Sequence, residues 1–396
     1  LKQFDTQVHV YKNEVLEVLN SIQDSMKINT LFSMQETGLN ATYDRDKAVK
    51  KWCVSKRIVW KEHINNGVTR GIKNRNNWRN TWTSYMMQPI KPFEASAASF
   101  TTADCIGLTE EVLEPKKLEG IQAGGTKTGL AYLESFLSQR HKKYQQSISK
   151  PEAARTHCGR VSPYIAWGNL SVRYVWQRAK QAKAQGASGF QLNAFTSRLR
   201  WQAHFIQKFE METRMEFESV NTGFRQLKKE VNTDYISAWK TGKTGFPLVD
   251  ASMRCVVETG YLNFRMRAMV VSFFTHHLWQ PWQMGAVFLG KQFLDFDPGI
   301  HYPQFQMQAG ETGINMVRIY NPTKNALEHD PEGTFIRKWV PELAELPTPF
   351  VLEPWSMTTI EQQAYSCVLG KDYPKAIVTI KETYKHASTV LWHMKR

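Results

Sequence analysis

Hydrophobic and polar positions change their period along the chain. Over the first 90 residues short β-rich runs alternate with longer amphipathic ones. In order these are an extended "TQVHVYK", a helix "NEVLEVLNSIQDS", a buried strand "INTLFSM", a helix "DRDKAVKKWCVSKR" and a strand "RIVWKEH". Strands alternating with helices predict a parallel α/β unit, because parallel neighbours need a crossover between them. The stretch "PIKPFEASAASFTTAD" at 89–104 is polar, aperiodic and contains Pro, Ser and Thr, and residues 91–119 read as a linker. From 120 to 396 the period is helical almost throughout, with Trp, Phe and Met as the large apolar side chains, so the second unit is expected to be all-α. Within it "KTGFPLVDASMR" opens like a helix. Pro247 sits in the first turn, Asp250 near the positive end of the dipole, and Leu248, Met253 and Val257 along one face. The next segment, "GYLNFRMRAMVVSFF", sets Arg265 and Arg267 beside an apolar run, where a guanidinium needs a partner.

A chain of 396 residues exceeds what one core usually serves, which agrees with two units. Its 51 basic and 36 acidic residues leave a net charge of +15, which points to a polyanionic partner, nucleic acid before membrane. No 18-residue apolar run and no signal-peptide pattern occurs, so neither a membrane span nor secretion is expected. Five cysteines stand singly, without C-x-x-C or His–Cys spacing, which predicts a reducing compartment and no metal. That compartment is the cytoplasm of a bacterium, or the nucleus or an organelle of a eukaryote. The start "LKQFDTQVHVYK" has no initiator Met and looks like mid-domain sequence.

Of the 13 tryptophans several lie beside arginines, as in "RVSPYIAWGNLSVRYVWQR" and "SRLRWQAHF". Guanidinium groups hold phosphates and aromatic faces stack on bases or planar cofactors, so the interleaving suits nucleic acid or a flavin. Core packing alone accounts for most of the individual tryptophans. "GGTKTG" at 124–129 is not a phosphate loop, since Thr126 separates Gly125 from Lys127.

Taken in sequence, "GGTKTGLAYLESFLSQRHKKY", "CGRVSPYIAWGNLSVRYVW", "GFPLVDASMRCVVETGYLNFRMRAMVVSFF", "DFDPGIHYPQFQMQAG" and "VRIYNPTKNALEHDPEGTFIRKWVPEL" carry a likeness in register. Over residues 120 to 385 the chain resembles the flavin-binding domain of the photolyase/cryptochrome family. Residues 1–90 resemble the second half of that family's N-terminal antenna domain, with "TYDRD" at 42–46 in a matching place. The family's first strands and its early Arg-Asp-Leu-Arg-type motif have no counterpart. The resemblance therefore implies a truncated parallel α/β antenna domain over 1–90, a linker over 91–119 and a large helical FAD-binding domain over 120–396.

The cofactors implied are FAD, bound non-covalently, and an antenna chromophore whose identity the residues leave open. By resemblance Arg267 pairs with Asp295 beside the flavin ring, and Asp297 faces the adenine and ribose of a folded-back cofactor. Tyr144 matches a phosphate-holding tyrosine. Cys158, Gly159, Arg160, Val161 and Ser162 replace a Thr-Ser-Arg-Leu-Ser turn, losing two hydroxyls while keeping backbone N–H groups at a helix start. His301, four residues after Asp297, stands where the family's residue faces the flavin N5, and a histidine there could donate to or protonate the ring. Phe264 takes the place of an Asn near the flavin, and Ala268 that of a Met. His276 and His277, in an apolar helix, read as structural.

Over the substrate cavity Trp201 matches the lesion-stacking tryptophan, and Arg198 stands where pyrimidine-dimer photolyases place a Glu. Arg198, Arg265 and Arg318 are expected to hold phosphates or base edges of DNA, with Arg265 and Arg318 pointing outward. The family's electron-transfer tryptophans align with Phe305, Trp282 and Lys229, so that route is interrupted. Trp279, Tyr302 and Trp239 are the other aromatics available. The activity implied is that of a monomeric lyase of the deoxyribodipyrimidine photolyase type, acting on UV-damaged DNA. The alternative is a cryptochrome-type blue-light sensor, or a photolyase-like flavoprotein that binds DNA without repairing it. A basic DNA-binding protein on the same fold, without flavin, is a third.

Overall fold

The computed structural model describes residues 8–91, 99–101, 103, 105, 108, 111, 118–313 and 318–394. They fall into two compact units, Leu1–Leu118 and Glu119–Arg396.

In the first unit the helix Val15–Ser25, strand Thr30–Met34, helix Asn40–Lys56, strand Val59–His63 and helix Trp78–Met87 follow one another. The two strands are parallel, with Thr30 opposite Val59 and Met34 opposite His63. Period-two alternation sends Leu31 and Trp60 to one face, where they pack on Leu19, Val49, Trp52, Cys53 and Ile58. The opposite face carries Phe32, Met34 and Val59 in the open. The strand expected to be buried is therefore buried on one side only, because both neighbouring helices pack on the same face. The extended stretch expected at Thr6–Lys12 falls partly outside the described residues, and from 8 to 12 it forms no strand.

The second unit consists of helices joined by turns and loops from Thr126 to Met394, with no strand among its described residues beyond a bridge between Leu369 and Tyr373. Its core gathers Trp239, Val249, Met253, Val270, Phe274 and Trp282 with their neighbours. The helix Pro247–Thr259 starts at Pro247, where the missing N–H costs no bond. Leu248 and Met253 are buried as expected, but Val257 is exposed and Val256 fills the core instead. Positions 248, 252 and 256 drift only about 40° per step and share a face, whereas 257 lies about 180° around the helix from 248.

Asp250 does more than favour the dipole. It is fully buried and accepts from Thr244 N and Oγ1 at 2.8 and 2.6 Å, Gly245 N at 3.1 Å and the Tyr373 hydroxyl at 2.6 Å. Burial pushes its carboxyl up to about 6. Gly245 (φ +77°) passes so near the chain that a Cβ would lie 2.4 Å from Lys375 O, so the segment around 375 docks directly onto this turn.

The long helix Gly189–Met211 crosses the helix Pro298–Gln308 at Gly299, where a Cβ would fall 2.9 Å from Ile206 Cα. The Pro-Gly pair thus starts the second helix at Pro298 and lets the two backbones close up at Gly299. Asp297 caps it, accepting from Gly299 N at 2.9 Å.

Candidate functional site

The short helix Phe264–Ser272 places two of the predicted residues. Its cap, Asn263, accepts from Met266 N at 3.3 Å and donates to Ile148 O at 3.0 Å, which fixes the first turn. Arg267 then reaches Asp295, its Nη2 donating to both carboxylate oxygens at 2.9 and 3.1 Å. Its Nε donates to Leu262 O at 2.9 Å, and the guanidinium lies 3.9 Å from the centre of the Phe293 ring. The pair is held by three bonds and a stacking contact, yet the Arg267 side chain keeps 29% of its exposure. A cation fixed in this way, still accessible, is available to a ligand.

His301 lies on the helix Pro298–Gln308 within an aromatic cage of Phe293, Phe296, Tyr302 and Phe305, ring centres 5.3–6.0 Å away. Its Nε2 is 2.8 Å from Ala286 O, and a carbonyl can only accept, so that nitrogen carries the hydrogen. Burial first, and the Arg267 charge after it, push the imidazole down to about 4. At neutral pH His301 offers a lone pair at Nδ1. A neutral ring whose N–H is given to Ala286 O leaves Nδ1 to accept from a ligand. Asp297, expected on the adenine side, spends one oxygen on its helix cap.

The turn Cys158–Ser162 joins the helices Pro151–His157 and Ser162–Ala166. Arg160 takes a left-handed conformation (φ +56°), and its carbonyl accepts from Gln122 Nε2 at 2.8 Å. Arg140 gathers the carbonyls of Tyr132 and Thr156 at 2.6 and 3.1 Å, with that of Cys158, and so pins the turn from behind. The Arg160 guanidinium lies 3.7 Å over the Tyr261 ring, and its Nε is buried without a partner. Buried Cys158, its thiol pushed up to about 12 by burial, is surrounded by Arg160, Arg140 and Arg198. Tyr144 is buried, its phenol raised by burial and set beside Arg198. This side of the site is rich in cations, and Asp295 is the carboxylate within electrostatic reach of Arg160.

The residues fit FAD. An unsatisfied arginine nitrogen among converging cations suits a diphosphate, and the paired Arg267 beside Phe293 and a neutral His301 suits the ring. Arg160, Tyr144 and Arg198 would hold the phosphates, and Arg267, Asp295 and His301 the isoalloxazine.

A third cluster is open to solvent. Phe264, 39% exposed, lies between two guanidinium groups, Arg198 at 5.2 Å and Arg265 at 5.1 Å from its ring centre. Trp201, one turn beyond Arg198 on the same helix, is 49% exposed. Arg265 does not project freely as expected. It is half-buried, donates from Nη1 to the Tyr320 hydroxyl at 3.2 Å, and its Nε is buried without a partner. Arg318 is exposed, and its carbonyl accepts from Ser272 Oγ at 3.4 Å.

Trp282 is buried, its indole nitrogen unpartnered, with Tyr302 and Phe305 both 6.4 Å away between ring centres. Lys229, where the family's outermost tryptophan would stand, is buried rather than peripheral. It donates to Thr275 O at 3.0 Å, pairs with Glu311 at 3.6 Å and covers the Trp279 ring at 4.6 Å. His276 and His277 are each bonded at both ring nitrogens, and burial pushes them down to about 3 and about 4. Arg140, Gln122, Tyr261 and Phe293 belong to the site and went unnoticed in the sequence. Only Phe293, two residues from Asp295, carried a signal there.

Residues 195–393 match a family model described as the FAD-binding domain of DNA photolyase. A deoxyribodipyrimidine photo-lyase of Alkalihalophilus pseudofirmus is 31% identical over 265 residues, covering 66% of this chain and 54% of its own length. A cryptochrome DASH of Gloeobacter violaceus is 32% identical over 280 residues, covering 69% and 55%. The chain thus spans about half the length of these relatives. Among solved structures, a Synechocystis sp. cryptochrome superimposes with a TM-score of 0.82 at 22% identity over 94% of this chain and 81% of that one. A class III photolyase of Agrobacterium tumefaciens does so with 0.79 at 19% over 97% and 83%. With half of its length matched by the flavin-domain model, the chain belongs to the photolyase/cryptochrome family and carries that family's FAD-binding domain.

Proposed function

We propose that the protein is a light-driven, FAD-dependent lyase that repairs UV-induced pyrimidine dimers in DNA. The observation that carries this is the solvent-open cluster in which Phe264 is clamped between Arg198 and Arg265, with exposed Trp201 one turn away. Aromatic faces flanked by fixed cations suit a base lifted out of its stack together with its phosphates. FAD supplies, when reduced and excited, a single electron for splitting the dimer. The chain's own residues do the rest. Trp201 and Phe264 offer stacking faces. Arg198, Arg265 and Arg318 hold phosphates or base edges. Arg267, kept cationic by Asp295, favours negative charge beside it. His301 stays neutral and accepts. The net charge of +15 draws the polyanion in. The first unit would carry the antenna chromophore, and the protein would act as a monomer.

A second reading is favoured by the cavity's composition. Arg198 occupies the place of a carboxylate and Phe264 that of an amide, both replacements that suit binding without repair, as in a blue-light sensor. The test uses chemically reduced, flavin-loaded protein and oligonucleotides with one defined dimer, illuminated and analysed for intact dimer. Light-dependent loss of dimer supports repair. Binding without loss supports the second reading, and absence of binding to damaged and undamaged DNA overturns both.

A further inference from the structure

The helix that presents Arg265 and Arg267 runs into a single π-turn, Phe273–His277, closed by a bond from Leu278 N to Phe273 O at 2.9 Å. Such turns hold one residue more than an α-turn and are frequent at functional sites. We propose that Ser272, His276 and His277 are positioning residues for the nucleic-acid side: they fix the backbone of Tyr320, and Tyr320 in turn aims Arg265. This rests on the reading of the open cluster above, in which Arg265 meets phosphates or base edges of DNA.

Tyr320 is gripped at both of its backbone groups. Its N–H donates to Ser272 Oγ at 3.0 Å, and its carbonyl lies 2.9 Å from His277 Nε2. A carbonyl only accepts, so His277 carries its hydrogen at Nε2, and Nδ1 accepts from the Thr383 hydroxyl at 2.8 Å. The same reasoning fixes His276. Its Nε2 donates to Ala309 O at 3.0 Å, which leaves Nδ1 to accept from Ser272 Oγ at 2.9 Å. Ser272 has one hydroxyl hydrogen, and the contact to His276 is shorter than the one to Arg318 O at 3.4 Å, so its lone pairs serve Tyr320 N–H. A directed chain results, from Tyr320 N–H through Ser272 and His276 to Ala309 O. Burial holds both imidazoles below their ordinary range, His276 at about 3 with the Lys229 charge adding to the effect, and His277 at about 4. Neither neutral ring can reverse its bonds without setting a lone pair against a carbonyl.

The side chain of Tyr320 carries this order to the open cluster. Its hydroxyl accepts from Arg265 Nη1 at 3.2 Å, and the guanidinium lies 5.9 Å from its ring centre and 5.1 Å from that of Phe264. One helix therefore sets its own arginine from both ends. Arg265 in the first turn supplies the guanidinium, and Ser272 at the last supplies, through Tyr320, the oxygen that aims it. A long side chain that would otherwise sample many rotamers is held near one before a ligand arrives, which removes an entropic cost from binding.

The test follows a labelled oligonucleotide with one defined dimer as it binds the full, flavin-loaded chain, read by anisotropy at several ionic strengths. The variants are H277F, H277Q, S272A, Y320F and R265A, with H277F and Y320F also made on the R265A background. H277F keeps a flat ring but cannot donate to Tyr320 O. It should weaken binding about tenfold and lower the salt slope by about one unit, with the flavin absorption band and FAD affinity unchanged. H277Q, whose amide can donate to that carbonyl, should restore most of the affinity. S272A and Y320F should each lose about threefold. On the R265A background neither H277F nor Y320F should weaken binding further, because changes along one path do not add. Histidines that only filled the core would give additive losses, so additivity overturns the assignment. Should H277F fail to fold, Y320F decides: binding equal to that of the unaltered protein, or an undiminished loss on the R265A background, overturns it. Loss of affinity in R265A without loss in H277F removes the positioning role and leaves the reading of the cluster intact. An unaltered protein that binds no DNA defeats that reading and this one with it.

Discussion

Replacing Asp295 by Ala tests the centre of the flavin site. The change removes both acceptors of Arg267, at 2.9 and 3.1 Å, and leaves the bond to Leu262 O and the stack on Phe293. Breaking a buried ion pair costs about 3–5 kcal/mol, and most of that is the stranded charge. Here water already reaches the arginine, whose side chain keeps 29% of its exposure, so the stranded charge is partly solvated. Two contacts also survive the change. The expected loss is therefore about 2–4 kcal/mol in the flavin-free protein, below the figure for a sealed pair but above the 0–1 kcal/mol of a surface one. With flavin bound, water is displaced from the site and the loss should grow. Urea denaturation with and without saturating FAD, read by tryptophan fluorescence, gives both numbers, and the flavin band gives the affinity. A folded variant with stoichiometric flavin and a loss under about 0.5 kcal/mol in both states would refute this placement of the pair.

Other predictions follow from the same contacts. Asn263→Ala removes a cap and the tie to Ile148, so it should cost about 1–2 kcal/mol and weaken flavin and DNA binding together, as titration of each ligand would show. Arg265→Ala and Arg318→Ala should each weaken DNA binding alike for all sequences and lower the salt slope by about one unit, measured by anisotropy at several ionic strengths. Asp250 has a folded-state carboxyl pushed up to about 6, above its unfolded value. The folded state therefore holds this proton longer, and the contribution is complete below about pH 4 and lost as pH rises through about 6. Asp250→Asn should destabilise the protein through the four bonds the carboxylate accepts. It should also flatten this part of the stability profile, as urea titrations across that range would reveal.

The two strands and the helices between and before them in the first unit, and the helix beginning at Pro247, were legible because each rests on a local signal, whereas Asp295 as the partner of Arg267 came only from the resemblance. Pro and Asp mark a helix start, alternation marks a strand, and an arginine in an apolar run demands a partner. What stayed hidden is long-range. Lys229 sits in "RQLKKEVN", which reads as a surface stretch, and only the approach of Glu311 lets it be buried. Arg140 pins the Cys158 turn through carbonyls, which leave no trace in residue type. The π-helical turn Phe273–His277 lies inside a continuous apolar run, where no period distinguishes one helical pitch from another. Val257 was misplaced for a related reason, since nearly every side of that helix is buried and apolar spacing alone cannot single out the exposed strip.

The two arginines of the apolar run have different tasks because they are two residues apart. That separation turns them about 200° around the helix, so they cannot serve one ligand from one face. Arg267 faces Asp295 and Phe293, while Arg265 faces Phe264 and Tyr320. One short helix thus stands between the flavin side and the solvent-open side, and its first turn is held by Asn263, whose side chain also grips Ile148, four residues beyond Tyr144 on the phosphate side. Arg198 closes the circuit, with its guanidinium over Phe264 and beside the Tyr144 phenol at once. A shift of any of these groups is felt on both sides. In the reading proposed above, that shared scaffold would bring a planar cofactor and a base lifted from its stack close together, as single-electron transfer between them requires. It also explains why substitution at Arg198 or Phe264 can change what the open side accepts while the Arg267–Asp295 pair is retained.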